Sequence, residues 1–216
     1  MLGRIYYWMH RFFSKPQERG EYSAGVWQDR IRSASLQLCG WEGNILEVGC
    51  GEGLFLGQLN LARERLQLWG VDNSSVRIER TRKRLEGKKI HLSVEDATKL
   101  SFEDGFFDKV VCINVFFNMP GIDTVRKTVL EMKRVAKNDA RLIFDFRNAD
   151  NPLLALKYSL APLYDPTVKT LPLKTYSLAQ IRSLLDSTGL EIVSLDHFGA
   201  LFKIWAPIIL VEAKKR

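Results

Sequence analysis

From about residue 44 onward, short apolar runs alternate with stretches whose hydrophobic residues recur every three or four positions. Ile45-Leu46-Glu47-Val48, Leu66 to Val71, Ile90 to Val94, Asp108 to Val115, Arg141 to Phe146, Glu191 to Leu195 and Ile208 to Ala213 read as strands, most of them buried. Between them, Leu54 to Ala62, Ile122 to Ala136 and Ser177 to Ser187 read as helices. Ser74 and Ser75 are placed to cap another, and Gly189 stops the last. Asn138-Asp139 is expected as the turn into the fifth strand. Pro207 has no N–H for a ladder, so it should begin the last strand or lie at its edge. This alternation predicts an α/β fold: a doubly wound, Rossmann-like, seven-stranded and mostly parallel sheet with helices on both faces.

Two regions depart from the alternation. Residues 1–40 form an N-terminal helical cap in which Leu2, Ile5, Trp8, Met9, Phe12 and Phe13 share one face of a helix ending near Lys15. After the break from Pro16 to Gly20, a second helix from Tyr22 to Leu38 carries Val26, Trp27, Ile31 and Leu36. Charge interrupts the first apolar stretch and no small-residue cleavage site follows, so it is not a secretory signal. It is either a lid packed on the domain or an interfacial anchor giving peripheral membrane contact through residues 1–15. After a core spanning residues 41–147, the proline-containing segment 148–175 reads as a partly helical insertion, lid-like over the site. Residues 176–216 return to the core with a helix and two strands.

Charge and cysteine content narrow the partners. The net charge is +7, and the segment from Arg77 to Lys89 concentrates basic residues. That pattern suits a solvated outer helix better than a nucleic-acid surface, since no nucleic-acid-binding signature accompanies it. The three cysteines, Cys39, Cys50 and Cys112, form no Cys-x-x-Cys pair and have no His at metal-ligand spacing, which fits a reducing, cytoplasmic setting without a structural metal.

The chemistry centres on Gly49-Cys50-Gly51-Glu52-Gly53, where the first strand turns into a helix. Glycines there permit positive φ and bring a ligand against bare backbone beside a helix N-terminus. Asp72 ends the second strand, where one carboxylate can accept hydrogen bonds from both hydroxyls of a ribose. Asp96 and Asn114 also fall at carboxyl ends of strands, so four segments converge on one crevice. A dinucleotide turn needs its third glycine five residues after its first, but Gly49 and Gly53 are four apart. That spacing disfavours an NAD-dependent oxidoreductase, and the phosphate-cradling Gly-x-x-x-x-Gly-Lys pattern is absent.

Several stretches together resemble the class I S-adenosylmethionine-dependent methyltransferases, especially the branch acting on small molecules and quinones. They are Glu47-Val48-Gly49-Cys50-Gly51-Glu52-Gly53, Asp72, Glu95-Asp96-Ala97, Asp104-Gly105-Phe106-Phe107-Asp108 and Glu131-Met132-Lys133-Arg134-Val135. Residues 40–147 carry the resemblance, and Thr188-Gly189-Leu190-Glu191 fits the family's C-terminal pattern. It implies S-adenosyl-L-methionine as cofactor. Glu47 and the backbone through Gly49, Cys50, Gly51 and Gly53 would face the methionine portion, Asp72 with Asn73 the ribose, Asp96 and Ala97 the adenine edge, and Asn114 the sulfonium. A cationic ligand without phosphates suits carboxylates, and no basic residue is expected at the strand ends.

Two stretches depart from the family. Lys137-Asn138-Asp139-Ala140 replaces the usual Lys-Pro-Gly-Gly. Asn114-Val115-Phe116-Phe117 is similar to the Asn-Pro-Pro-aromatic motif of amide and amine methylation but lacks both prolines. The expected reaction is in-line methyl transfer to a small or lipid-like acceptor. Cofactor binding without catalysis, or methylation of nucleic acid or protein, are the alternatives. His197, Tyr22 and Tyr164 are the candidate bases, should one be needed.

Overall fold

The computed structural model describes residues 26–62, 65–164, 172–199 and 203–216. The expected helix within residues 1–15, and Tyr22, lie outside the described residues. The order is α1 (Val26–Leu38), β1 (Glu42–Val48), α2 (Leu54–Ala62), β2 (Arg65–Asp72), α3 (Ser75–Arg84), β3 (Ile90–Val94), β4 (Phe107–Cys112), α4 (Ile122–Val135), β5 (Ala136–Arg147), α5 (Pro152–Tyr164), α6 (Leu178–Ser187), β6 (Leu190–Phe198) and β7 (Ile208–Lys215). Short 3-10 turns at Phe116–Asn118 and Lys203–Trp205 precede α4 and β7.

The strands form one seven-stranded sheet in the order β3-β2-β1-β4-β5-β7-β6. Strands β1 to β5 pair in parallel, while β7 runs antiparallel to both neighbours. Alternation along the strands feeds two cores. On one face Leu46, Val48, Val110, Leu142 and Phe144 meet Val125, Val129 and Met132 of α4 and Ile181, Leu184 and Leu185 of α6. On the other, Ile45, Leu68, Val111, Ile143 and Leu210 meet Ile31 of α1, Phe55, Leu56 and Leu59 of α2 and Ile78 of α3.

Local signals account for most helix starts. Ser74 caps α3 by accepting from the Arg77 N–H, and Ser177 and Gln180 form a reciprocal capping box on α6. Several residues that carry the family resemblance are braces for loops. Arg134 donates to the carbonyls of Leu100 and Phe102 at 2.8 and 2.7 Å and to Asp104 at 2.7 Å, while Glu131 accepts from the Leu100 N–H at 2.8 Å. Asp108 accepts from the Asn44 N–H at 2.8 Å and from Lys137 at 2.7 Å, tying β4 to β1 and β5.

Two boundaries differ from expectation. Strand β4 ends at Cys112 rather than Val115, because Asn114 turns into the left-handed region at φ +59°, a conformation Asn tolerates better than most residues. Strand β5 begins at Ala136, with no turn at Asn138-Asp139; Ala136 pairs with Phe107 directly after α4. Pro207 does precede the last strand, yet β7 lies between β5 and β6 rather than at an edge. Segment 148–175 contributes α5, and its base is pinned where Tyr176 N–H donates to Arg147 O at 2.9 Å and Ala149 N–H to Tyr176 O at 3.0 Å.

Candidate active site

The carboxyl ends of β1, β2, β4 and β5 open onto one cleft of about 910 Å³. Glu47, Gly49, Cys50, Gly51, Asp72, Asn73, Asp96, Ala97 and Asn114 all line it, as topology requires of strand ends at the point where the sheet order reverses.

Gly49 has φ +76°, and a Cβ there would come within 2.4 Å of Val115 Cγ2. Only glycine allows both the turn and the close approach of the β4 loop. Gly53 does not line the cleft: a Cβ on it would meet Thr81 and Leu85 of α3 at 2.5 and 2.9 Å, so it sets the packing of α2 on α3. Against Gly51 the nearest atom to a Cβ is the Gly49 carbonyl oxygen at 4.0 Å, which leaves that backbone open to the cleft.

Four of the five amides from Gly49 to Gly53 are spent inside the protein. Gly49 and Cys50 N–H both donate to Val71 O at 2.8 and 2.9 Å, Gly51 N–H donates to Asp72 Oδ2 at 3.0 Å, and Gly53 N–H donates to Cys50 O at 2.8 Å. A phosphate cradle needs such amides free. This turn therefore suits a ligand without phosphates.

Carboxylates dominate this end. Glu47 is buried, lines the cleft, and has no hydrogen-bond partner on Oε2 among the described residues. Burial pushes its carboxyl well above the usual range; Arg32 opposes that shift and Asp72 adds to it. An orphaned buried oxygen is costly unless a donor completes it, and the ammonium of an amino-acid ligand is such a donor. Asp72 also accepts from Ser74 N–H through Oδ1 at 3.0 Å. Each oxygen so far takes one hydrogen bond from an amide, and a carboxylate oxygen can take two. Asp96 is exposed, and the Thr98 amide and hydroxyl hold its carboxyl below the usual range. The residues present fit an amino-acid nucleoside with no phosphate.

The opposite end has a different chemistry, and here the expectation of no basic residue at a strand end fails. Arg147 ends β5 inside the cleft, 4% exposed. Its guanidinium donates to Asp145 at 2.6 Å and to Asn114 Oδ1 at 3.0 Å, and it lies 4.4 Å from the Phe117 ring centroid. Asp145 in turn accepts from the Asn114 N–H, which holds the left-handed residue in place. Burial raises the Asp145 carboxyl although Arg147 opposes the shift. Tyr158 of α5 stands beside Arg147, and burial raises its phenol above the ordinary range although Arg147 opposes the shift. Arg147 lies one residue past the expected end of the fifth strand, and the sequence did not single it out. The clue, Asp145 two positions earlier on a strand otherwise buried, could mark the pair but not its partners.

His197 is on edge strand β6, paired with Ile209, and does not line the cleft. Period-two geometry and the sheet order carry it away from the strand ends that do. The side chain of Tyr164 lies outside the described residues. His91 stacks on Trp69 with ring centroids 5.2 Å apart. Cys50 and Cys112 are buried thiols pushed up by burial and are not nucleophiles.

Comparison with known proteins agrees with this geometry. Residues 46–144 match the family described as "Methyltransferase domain". No curated protein sequence matches the chain significantly. Among solved structures, a Pyrococcus horikoshii protein is similar at 19% identity and TM-score 0.72, over 98% of this chain and 99% of that one. A S-adenosylmethionine-dependent methyltransferase from Methanosarcina mazei shares 21% identity at TM-score 0.66, over 84% and 96% of the two chains. The magnesium protoporphyrin IX methyltransferase of Synechocystis, solved with bound S-adenosylhomocysteine, shares 18% identity at TM-score 0.66, over 91% and 90%. With the sheet order and the family match in agreement, residues 46–144 carry a methyltransferase domain, on a fold shared with S-adenosylmethionine-dependent methyltransferases of known structure.

Proposed function

We propose that this methyltransferase acts on a small or lipid-like acceptor that enters the cleft from the side of Arg147 and α5. The observation that carries the reading is the lining beyond Asn114. Phe117, Met119, Leu153 and Leu154 supply apolar surface there, beside the internally neutralised Arg147. Such a wall favours an acceptor with a hydrophobic body.

At the other end, Glu47 would receive the amino group of the methionine portion, Asp72 the ribose hydroxyls, and the Asp96-Ala97 loop the adenine edge. S-adenosylmethionine supplies an activated methyl group when bound. The chain's own contribution is to orient the two reactants and exclude water. Among the described residues no histidine lines the cleft, and Tyr158, with its phenol raised, holds its proton. The residues favour positioning over proton abstraction. Helix α5 and the segment around it would act as the lid of the acceptor side.

The test supplies the purified protein with methyl-labelled cofactor and, separately, a solvent-extracted lipid fraction, an aqueous metabolite fraction, RNA and a protein extract. Label in the lipid or metabolite fraction is expected. Label confined to RNA or protein would overturn the acceptor assignment, and cofactor binding without turnover on any pool would favour a binding role without catalysis.

A further inference from the structure

Exposed large hydrophobic side chains are scattered one per element over most of the molecule, as with Leu61, Val76 and Leu130. They cluster in one place. On α5, Leu153, Leu156, Leu160 and Leu163 are 44 to 76% exposed, and on the neighbouring 3-10 turn Ile204 and Trp205 are 69 and 52% exposed. At 3.6 residues per turn the four leucines fall within an arc of about 80° of the helix. They form a single stripe facing solvent.

The turn is fastened beside the start of that helix. Asn148 Nδ2 donates to the carbonyls of Ile204 and Ala206, both at 3.0 Å, Asn151 Nδ2 donates to Trp205 O, and Asn151 Oδ1 caps α5 by accepting from Leu154 N–H at 2.8 Å. The stripe and the Ile204-Trp205 pair therefore belong to one surface. That surface reaches the rim of the cleft, since Leu153 and Lys157 line it. Within the helix and the turn the charge has one sign: Lys157 is the only charged residue in α5, and Lys203 opens the turn, while the exposed Asp150 lies just before α5.

We propose that this face docks on the surface of an anionic lipid bilayer. Aliphatic side chains with a tryptophan, on two elements whose charged residues are both lysines, match the boundary between acyl chains and anionic headgroups. A contiguous exposed apolar patch of this kind is unusual on a surface meant only for water. Docked this way, the mouth of the cleft faces the bilayer, and an acceptor with an acyl or prenyl-like body passes in along Leu153 without crossing water. The role of the surface rests on the lipid-like acceptor reading; the docking itself does not.

Co-sedimentation of the full chain with vesicles of phosphatidylcholine containing phosphatidylglycerol tests it, against vesicles of phosphatidylcholine alone. The full chain should sediment with the anionic vesicles and less with the neutral ones. The variant Leu156→Glu/Leu163→Glu should lose about tenfold or more of that partitioning, with unchanged thermal unfolding because both side chains are exposed. Leu61→Glu should bind as the parent does. Three results overturn the proposal: no vesicle binding by the parent, undiminished binding by the double variant, or a dimer in vesicle-free sedimentation velocity that the double variant turns into monomer. The last would assign the stripe to contact between two copies. Label transferred to a detergent-dispersed lipid fraction, with no vesicle binding, would leave the acceptor reading standing and remove the docking surface alone.

Discussion

The two ends of the cleft handle buried charge in opposite ways. At the glycine-turn end, Glu47 keeps an unpartnered oxygen and the nearest opposing cation, Arg32, is itself paired with Asp29. At the β5 end, Asp145, Arg147 and Asn114 satisfy one another, with Tyr158 beside them. One end is left to be completed by a ligand, and the other is complete by itself. Affinity for a cation is built into the first, whereas the second offers a rigid wall whose selectivity comes from shape.

The largest test of that contrast is Arg147→Leu. Removing one partner of a buried ion pair leaves an uncompensated charge and costs roughly 3–5 kcal/mol. Denaturant unfolding of the variant should show a loss on that scale. A double variant, Asp145→Leu/Arg147→Leu, should recover much of it, because no charge is then stranded. A change within about 1 kcal/mol for the single variant would mean that water already reaches the pair, and the contrast between the ends would fail.

Next in size is Asp72→Ala. The substitution removes the acceptor for the Gly51 and Ser74 amides as well as the proposed ribose contact. Two charge-assisted hydrogen bonds correspond to a loss of about 100-fold or more in cofactor affinity, measured by calorimetry. An unchanged affinity would remove the ribose assignment. Because the carboxylate also braces the turn, Asp72→Asn should fall between the parent and the alanine variant.

The acidic end was legible in the sequence because it is local. Strand, glycine turn and helix are consecutive, and Asp72 follows at the end of the next strand. What sequence reasoning could not reach was that the Gly49 and Cys50 amides are consumed internally, since their partner, Val71, is 22 positions from Gly49. The β5 end was hidden for the same reason on a larger scale. Arg147 meets Asn114 across 33 residues and Tyr158 from the insertion. Nothing in the sequence singled out Arg147, and only the parallel pairing of β4 with β5 puts it beside Asn114. His197 failed as a candidate because the position of β6 at the sheet edge is a matter of strand order.

Glu47→Gln should move stability and function in opposite directions. The amide replaces a buried carboxyl whose charged form has no full set of partners, so stability near neutral pH should rise by about 1–3 kcal/mol. Cofactor affinity should fall about tenfold or more as the charge-assisted contact is lost. The pH dependence has a fixed sign. The folded pKa is raised above the unfolded value, so this group's contribution to stability is full below the ordinary glutamate range and is lost as pH rises through the raised folded value. Thermal unfolding of the parent should therefore weaken across that window, and the Gln variant should show a flatter profile. Cofactor binding by the parent should release protons there, because a bound cation favours the ionised carboxylate. Equal pH profiles for parent and variant would show that Glu47 does not titrate in this range.

The smallest expected effect is the most specific to the β5 end. Tyr158→Phe deletes the hydroxyl beside Arg147 and leaves the ring on α5. A single hydrogen bond contributes about 0.5–1.5 kcal/mol, so global stability should fall by about 1 kcal/mol at most. If the network is a self-contained wall for the acceptor, the variant should raise KM for the acceptor several-fold and leave the cofactor Kd unchanged, because Glu47 and Asp72 do not touch it. A matching loss in cofactor affinity would show that the two ends are coupled through Asn114, whose backbone amide and side chain are both held by the network. The effect on kcat separates the roles: loss of a phenol that only positions α5 changes KM, whereas loss of one that exchanged a proton would lower kcat and change its pH profile.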